Sequence, residues 1–144
     1  VITAVPARHR PVDWEPATGE MTGFALSGET LPTVYVGGDN APLDLVGEIV
    51  QRVGEVDTAV IFAGAARTPF FDRAVGTLDA AQAAQAVRLL GARPAVVAHT
   101  DSWGHLTENG GAAEKAFAAG APGDRGCAGT KDVVCTPVRC WSSC

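Results

Sequence analysis

The sequence predicts an α/β fold built on a mixed β-sheet with helices on one face. Three observations predict it. Short apolar runs rich in valine and alanine recur along the chain, and from the middle onward they alternate with segments of helical periodicity. Several runs are apolar throughout instead of alternating with polar residues, the pattern of strands covered on both faces. Only three segments read as helices, enough to cover one face, and nothing else in the chain could cover the other. That second face is expected to be bare or packed on a second copy.

Each element has a local reason. Residues 1–7 form an apolar run broken by Pro6, with His9 following at once. Residues 10–20 hold Pro11, Trp14, Pro16 and Gly19 and read as a loop. Residues 21–27 and 33–37 are strands joined by a hairpin-type turn at Gly28-Glu29-Thr30. Leu43, Val46, Ile49, Val50 and Val53 recur at helical spacing, so residues 42–53 form a helix with Pro42 in its first turn and Gly54 at its end. Residues 57–63 are a buried strand and residues 64–76 a longer loop. Thr77 is expected to cap a helix over residues 78–90, with Asp79 in its first turn and Gly91 just past its end. Residues 95–98 form another buried strand ended by His99, and a loop with Trp103 and His105 leads to a helix over residues 111–119.

Composition narrows the function classes. The chain has 144 residues, 47% hydrophobic and 19% charged, which is the balance of one globular domain. Its 25 alanines and 17 glycines predict a tightly apposed core of small side chains. Net charge is −5, and the two lysines, Lys115 and Lys131, lie far from any basic cluster, so neither nucleic acid nor an anionic membrane has an electrostatic footprint. The longest apolar run, residues 58–66, is far short of the roughly 18–20 residues of a membrane span. The chain opens at Val1 with no basic stretch and no cleavage-site pattern, which predicts no signal peptide and a start inside a longer product or after a removed segment. Residues 1–126 lack cysteine, which predicts a cytoplasmic location.

The chemistry gathers at strand ends. His9 and His99 each sit just past an apolar strand, and Asp39 sits past another in Tyr35-Val-Gly-Gly-Asp39. If those ends share one sheet edge, two imidazoles and a carboxylate converge, a set that suits Zn²⁺, Mn²⁺ or Fe²⁺. Asp39 reads equally well as a cap for the helix at Pro42, and each histidine alone as a loop residue.

Three strings together resemble the later metal motifs of the metallo-β-lactamase-fold hydrolases, closest in flavour to the branch with ascorbate-6-phosphate lactonase-like enzymes. They are Val5-Pro-Ala-Arg-His9, Tyr35-Val-Gly-Gly-Asp39-Asn40 and Ala98-His99-Thr-Asp101-Ser-Trp103-Gly-His105, with Phe62-Ala-Gly-Ala-Ala-Arg67 between the last two. The resemblance covers about residues 1–120. It implies the second half of a four-layer αββα sandwich, His9 as a ligand of one metal, His99 of another, and Asp39 as the carboxylate bridging them. The reaction implied is hydrolysis of a small-molecule substrate by a metal-activated water, with Zn or Mn as cofactor. Asp39 and His105 are the candidate catalytic residues. His105 reads as substrate-facing or as a support behind the ligands and Asp101 as a group orienting His99, with a solvated loop the alternative for both. Arg67 reads equally as a contact to an anionic group or a surface salt bridge, and Trp103 is expected to pack. The family's His-x-His-x-Asp-His string occurs nowhere here. That absence predicts weak metal binding and no activity from this chain alone, unless a first half-domain joins it through the open sheet face. The alternatives are a non-catalytic incomplete domain that keeps partial ligands, and a small metal-binding module built on the tail.

Residues 1–122 are thus expected to form the half-domain and residues 123–144 an atypical tail. Cys127, Cys135, Cys140 and Cys144 lack the paired Cys-x2-Cys knuckles of structural zinc sites. Three readings of the tail stand: a zinc module, disulfides, and a terminus altered by a change of reading frame.

Overall fold

The computed structural model describes residues 1–9, 18–69, 74–119, 132–135 and 140–143. The elements, in chain order, are β1 (Ile2–Ala7), β2 (Met21–Gly28), β3 (Leu31–Val36), α1 (Leu43–Val53), β4 (Thr58–Phe62), α2 (Ala80–Leu90), β5 (Ala95–Ala98), α3 (Gly110–Ala119), β6 (Asp132–Cys135) and β7 (Cys140–Ser143). The strands form one mixed sheet in sequence order. β1–β2–β3 is an antiparallel meander; β3, β4, β5 and β6 run parallel, and β7 pairs antiparallel with β6. Each parallel step is bridged by a helix, because parallel neighbours need a long crossover.

One face of the sheet is buried. Val5, Ala25, Tyr35, Ala59, Ile61, Ala95 and Val97 point into a core shared with Val46 and Ile49 of α1 and Ala83, Ala86 and Leu90 of α2. Alanines dominate the contact between α2 and the sheet, as the composition predicts, and let helix and strand backbones approach closely. The alternate residues form the other face. Ala4, Phe24, Val36, Val60 and Val96 lie side by side in one cross-strand row, and Ile2, Leu26 and Val34 in the next. Ile2 is 70% exposed, Phe24 42% and Leu26 38%. No strand from β1 to β5 contains a charged residue. The apolar strands are therefore continuous for two faces, yet the described residues cover only one.

Two details differ from the sequence reading. Helix α2 starts at Ala80, and its cap is Asp79: Asp79 accepts from Gln82 N while Gln82 reaches back to Asp79 N, a capping box. Thr77 is fully buried instead, its Oγ1 accepting a hydrogen bond from Ala66 N (3.1 Å). The tail contributes β6 and β7, with Cys135 and Cys140 as register partners; the sequence reading assigned no strand there. Cys127 and Cys144 lie outside the described residues, as do Trp14 and most of the expected 10–20 loop. Among the described residues no helix is long and apolar enough to cross a membrane.

Candidate functional site

β1, β3 and β5 point the same way, because β1 and β3 are both antiparallel to β2 and β5 follows β3 through two parallel pairings. Their C-terminal ends therefore lie along one sheet edge, the usual place for binding groups in such sheets. His9, Asp39 and His99 each follow one of these ends. The structure brings all three together. His9 Nε2 lies 3.7 Å from Asp39 Oδ2, and His99 Nδ1 lies 3.3 Å from Asp39 Oδ1. Each imidazole thus faces a different oxygen of one carboxylate.

The rest of the backbone explains how they are held. Gly38 takes a left-handed conformation (φ 59°) that turns the chain between β3 and Asp39. The helix-cap reading of Asp39 fails here: α1 is preceded by Pro42 in the cap position, with no side-chain cap bond. His9 Nδ1 donates to Gly76 O (2.6 Å), which leaves its Nε2 as the lone-pair nitrogen toward Asp39. His99 is held at φ 56°, a left-handed conformation uncommon for a residue with a side chain. Gly64, at the end of β4, sits directly under His99; a Cβ there would strike the His99 carbonyl oxygen and lie 2.7 Å from Leu106 Cδ2. The Gly64 carbonyl also accepts from Thr107 N (2.9 Å) and Glu108 N (3.1 Å), pinning the far end of the loop that starts at His99.

His105 lies beside His99, their ring centroids 6.1 Å apart and edge-on. Its carbonyl accepts from Arg67 N (2.8 Å), so both belong to the rim of this edge. Asp101 is exposed and its carboxylate accepts the Ser102 hydroxyl (3.1 Å). Trp103, expected to pack, is 65% exposed, with its ring 6.1 Å from that of His105. Two contributors were not singled out from sequence: the Gly76 carbonyl and the buried side chain of Asn40, 2% exposed, which accepts from Arg8 N (3.1 Å) and donates to Pro42 O (3.1 Å). A backbone carbonyl carries no sequence signal. Asn40 had one, a polar residue directly after Asp39.

Whether the set suits a metal turns on its donors. Among the described residues, no three His, Cys, Asp or Glu side chains are grouped as a ready-made metal cage. The contacts are pairwise, one imidazole to each carboxylate oxygen. Donors on a tetrahedral metal with bonds of about 2.0–2.2 Å are about 3.4 Å apart, and the His99–Asp39 separation of 3.3 Å is of that size. His99 Nδ1 is moreover buried with no hydrogen-bond partner. A buried nitrogen left unsatisfied costs about 1–3 kcal/mol, a cost that a metal at that position removes. Imidazole nitrogens and a carboxylate are donor types that Zn²⁺ and Mn²⁺ accept, while the described residues by themselves assemble no group of three placed to hold a metal ion.

Comparison with known proteins identifies the family of the chain. Residues 1–100 match the Beta-lactamase superfamily domain. None of the curated proteins matches the chain. Among solved structures, isothiocyanate hydrolase from Delia radicum gut bacteria superposes with a TM-score of 0.73 at 14% identity, over 94% of this chain and 50% of that one. A possible metal-dependent hydrolase from Veillonella parvula gives 0.70 at 18% identity, over 82% and 47%. Igni18, a metallo hydrolase from Ignicoccus hospitalis, gives 0.62 at 20% identity, over 99% and 52%. The chain spans about half the length of each of these structures, and at such identities the likeness is one of fold. With more than half of its residues matched by the family and its sheet and three helices recurring in these hydrolases, the chain belongs to the metallo-β-lactamase superfamily.

Proposed function

We propose that this chain is the second half of a metal-dependent hydrolase domain, related to the ascorbate-6-phosphate lactonase-like branch, and that His9, Asp39 and His99 are its share of a two-metal site. The observation that carries this reading is the carboxylate of Asp39 with one imidazole on each oxygen. Zn²⁺ or Mn²⁺ bound there supplies an activated water and polarises a carbonyl or phosphoryl oxygen of the substrate. The chain's own residues do the rest. Asp39 would be the ligand common to both positions, since one of its oxygens lies beside each imidazole. His9 presents Nε2 because Gly76 holds its Nδ1 proton, an outer contact that fixes both tautomer and ring orientation. His99 presents its buried, unpartnered nitrogen. His105, its ring 6.1 Å from that of His99, is the group proposed to meet substrate and to exchange a proton with the reacting atoms.

Three ligands for two metals leave each under-coordinated. The remaining ligands would come from a first half-domain packed on the open apolar face, and the 144 residues alone should bind metal weakly and hydrolyse nothing. The test is an assay with added Zn²⁺ or Mn²⁺ on lactone, phosphodiester and β-lactam substrates. The expected result is background turnover from this chain, gain of turnover when it is mixed with a half-domain carrying His-x-His-x-Asp-His, and loss of that gain with Asp39→Ala. Zinc titration calorimetry should show weak binding that Asp39→Ala and His99→Ala remove. Full metal-dependent turnover by the chain alone would overturn the half-site reading. Zinc binding indifferent to all three residues would overturn the site.

A further inference from the structure

Asn40 occupies a junction that neither its sequence neighbours nor the ligand set accounts for. It is buried; its backbone N–H closes its own turn onto Gly38 O (2.8 Å), and its carbonyl and both side-chain groups each reach a different segment. Oδ1 accepts from Arg8 N (3.1 Å), directly before His9. Nδ2 donates to Pro42 O (3.1 Å), at the start of α1. Its backbone carbonyl accepts from Leu78 N (3.2 Å), two residues past Gly76, whose carbonyl holds His9 Nδ1. Ala41 N closes the circuit by donating to Arg8 O (2.9 Å). Arg8 is thus gripped by a pair of bonds, one from the Asn40 side chain and one from the next backbone nitrogen. Three segments meet here, from the ends of β1 and β3 and the entry to α2, and they carry His9, Asp39 and the carbonyl that orients His9.

We infer that Asn40 is a positioning residue that sets the separation of His9 and Asp39 and locks the His9 tautomer, an inference that rests on the metal reading for its consequence but not for its geometry. An amide is required because the junction needs an acceptor and a donor from one short, buried side chain. Water cannot substitute at a site 2% exposed, and without Asn40 the Arg8 N–H and the Pro42 carbonyl lose their partners. The loosened Arg8 then frees the adjacent His9 from the Gly76 carbonyl.

The test compares the 144-residue chain with Asn40→Ala and Asn40→Ser, using nitrogen-15 NMR of the histidine rings, zinc titration calorimetry and chemical denaturation. In the parent chain the metal-free His9 ring should show one tautomer, protonated on Nδ1. In Asn40→Ala it should become a mixture, while the His99 ring, which Asn40 does not touch, keeps its signals. Zinc affinity should fall about 10–100-fold, the usual effect of losing an outer-shell partner. Asn40→Ser, whose hydroxyl keeps one donor and one acceptor function but sits one bond closer to the backbone than the amide groups, should shift both readouts in the same direction by less; it carries the test if the alanine variant does not fold. If stability falls in both variants while the His9 tautomer stays that of the parent, Asn40 is only structural and the inference fails. If the parent binds no zinc at all, the metal reading fails, and the tautomer in the metal-free protein still decides the role of Asn40.

Discussion

Gly64 and Gly47 make opposite demands on a single methyl group. At Gly64 a Cβ meets the backbone carbonyl of His99, which cannot swing aside like the end of a side chain. Gly64→Ala should cost about 1–3 kcal/mol through overpacking, and it should displace His99 along with Leu106. Gly47, inside α1, has nothing within 4 Å of the same added atom. Gly47→Ala should instead stabilise by about 0.5–1 kcal/mol, because alanine loses less backbone entropy in a helix. Urea denaturation of the two variants side by side checks both signs. Tyr35 is the sole tyrosine, fully buried beneath the turn that leads to Asp39, and burial pushes its phenol up to about 12 from 10.0. A raised folded-state value means the native protein keeps a proton that the unfolded chain releases. Below pH 10 both states hold the proton and Tyr35 contributes no pH dependence. From there to about pH 12 stability should fall by about 1.4 kcal/mol per pH unit. The ultraviolet band of tyrosinate reads this group alone: its midpoint should sit near 12 in the folded protein and drop toward 10 in urea. A folded-state midpoint near 10 would mean the ring is solvated.

At the scale of elements, α2 shows how a helix start can be misassigned by two residues and what that changes. Thr77 and Asp79 are both good cap residues by type. The structure gives the cap to Asp79, reinforced by Gln82 and by Glu108 Oε2, which accepts from Ala80 N (2.6 Å). Both carboxylates lie at the positive end of the helix, where negative charge is favourable. Asp79→Ala should therefore cost about 1 kcal/mol, partly cushioned by Glu108. Thr77 does a different job, since its hydroxyl is the partner of the Ala66 N–H in the loop that follows β4. Thr77→Val keeps the shape and removes that acceptor, leaving a buried N–H unpaired at about 1–3 kcal/mol. The expected ranking puts Thr77→Val at or above Asp79→Ala; the reverse order in equilibrium denaturation would return the capping role to Thr77.

At the scale of the whole molecule the dominant feature is the sheet face that the described residues leave uncovered. One apolar row crosses all five strands from β1 to β5, a second crosses the first three, and none of the five strands contains a charge. Apolar area removed from water contributes about 25 cal/mol per Å², so such a face gains from any flat apolar partner. Phe24 lies on this face and off the core. Phe24→Lys should leave the unfolding midpoint of the chain within about 0.5 kcal/mol of the parent, the usual range for a surface change. If a partner packs on this face, Phe24→Lys should also weaken self-association in sedimentation and block complementation by a first half-domain. Severe destabilisation of the monomer by Phe24→Lys would mean the face is covered from within the chain.

Local pattern was enough to read the order of elements from β1 to α3, the helical face of Leu43, Val46 and Ile49, and the placement of His9, Asp39 and His99 just past strand ends. Periodicity is a property of neighbouring residues, and the order of elements along the chain follows from it. The strands of the tail were not legible, because four residues such as Asp132–Cys135 carry too little alternation to stand apart from loop. The fine structure of the site was not legible either. That His9 Nδ1 donates a hydrogen bond to the Gly76 carbonyl, 67 residues away, that each imidazole faces its own oxygen of Asp39, and that Asn40 serves the loops of two other elements were decided only by tertiary structure. Hydrogen bonds act over about 3 Å and depend on where distant segments come to rest, so a sequence can deliver the right residues to one edge while only the packed fold selects which atoms meet.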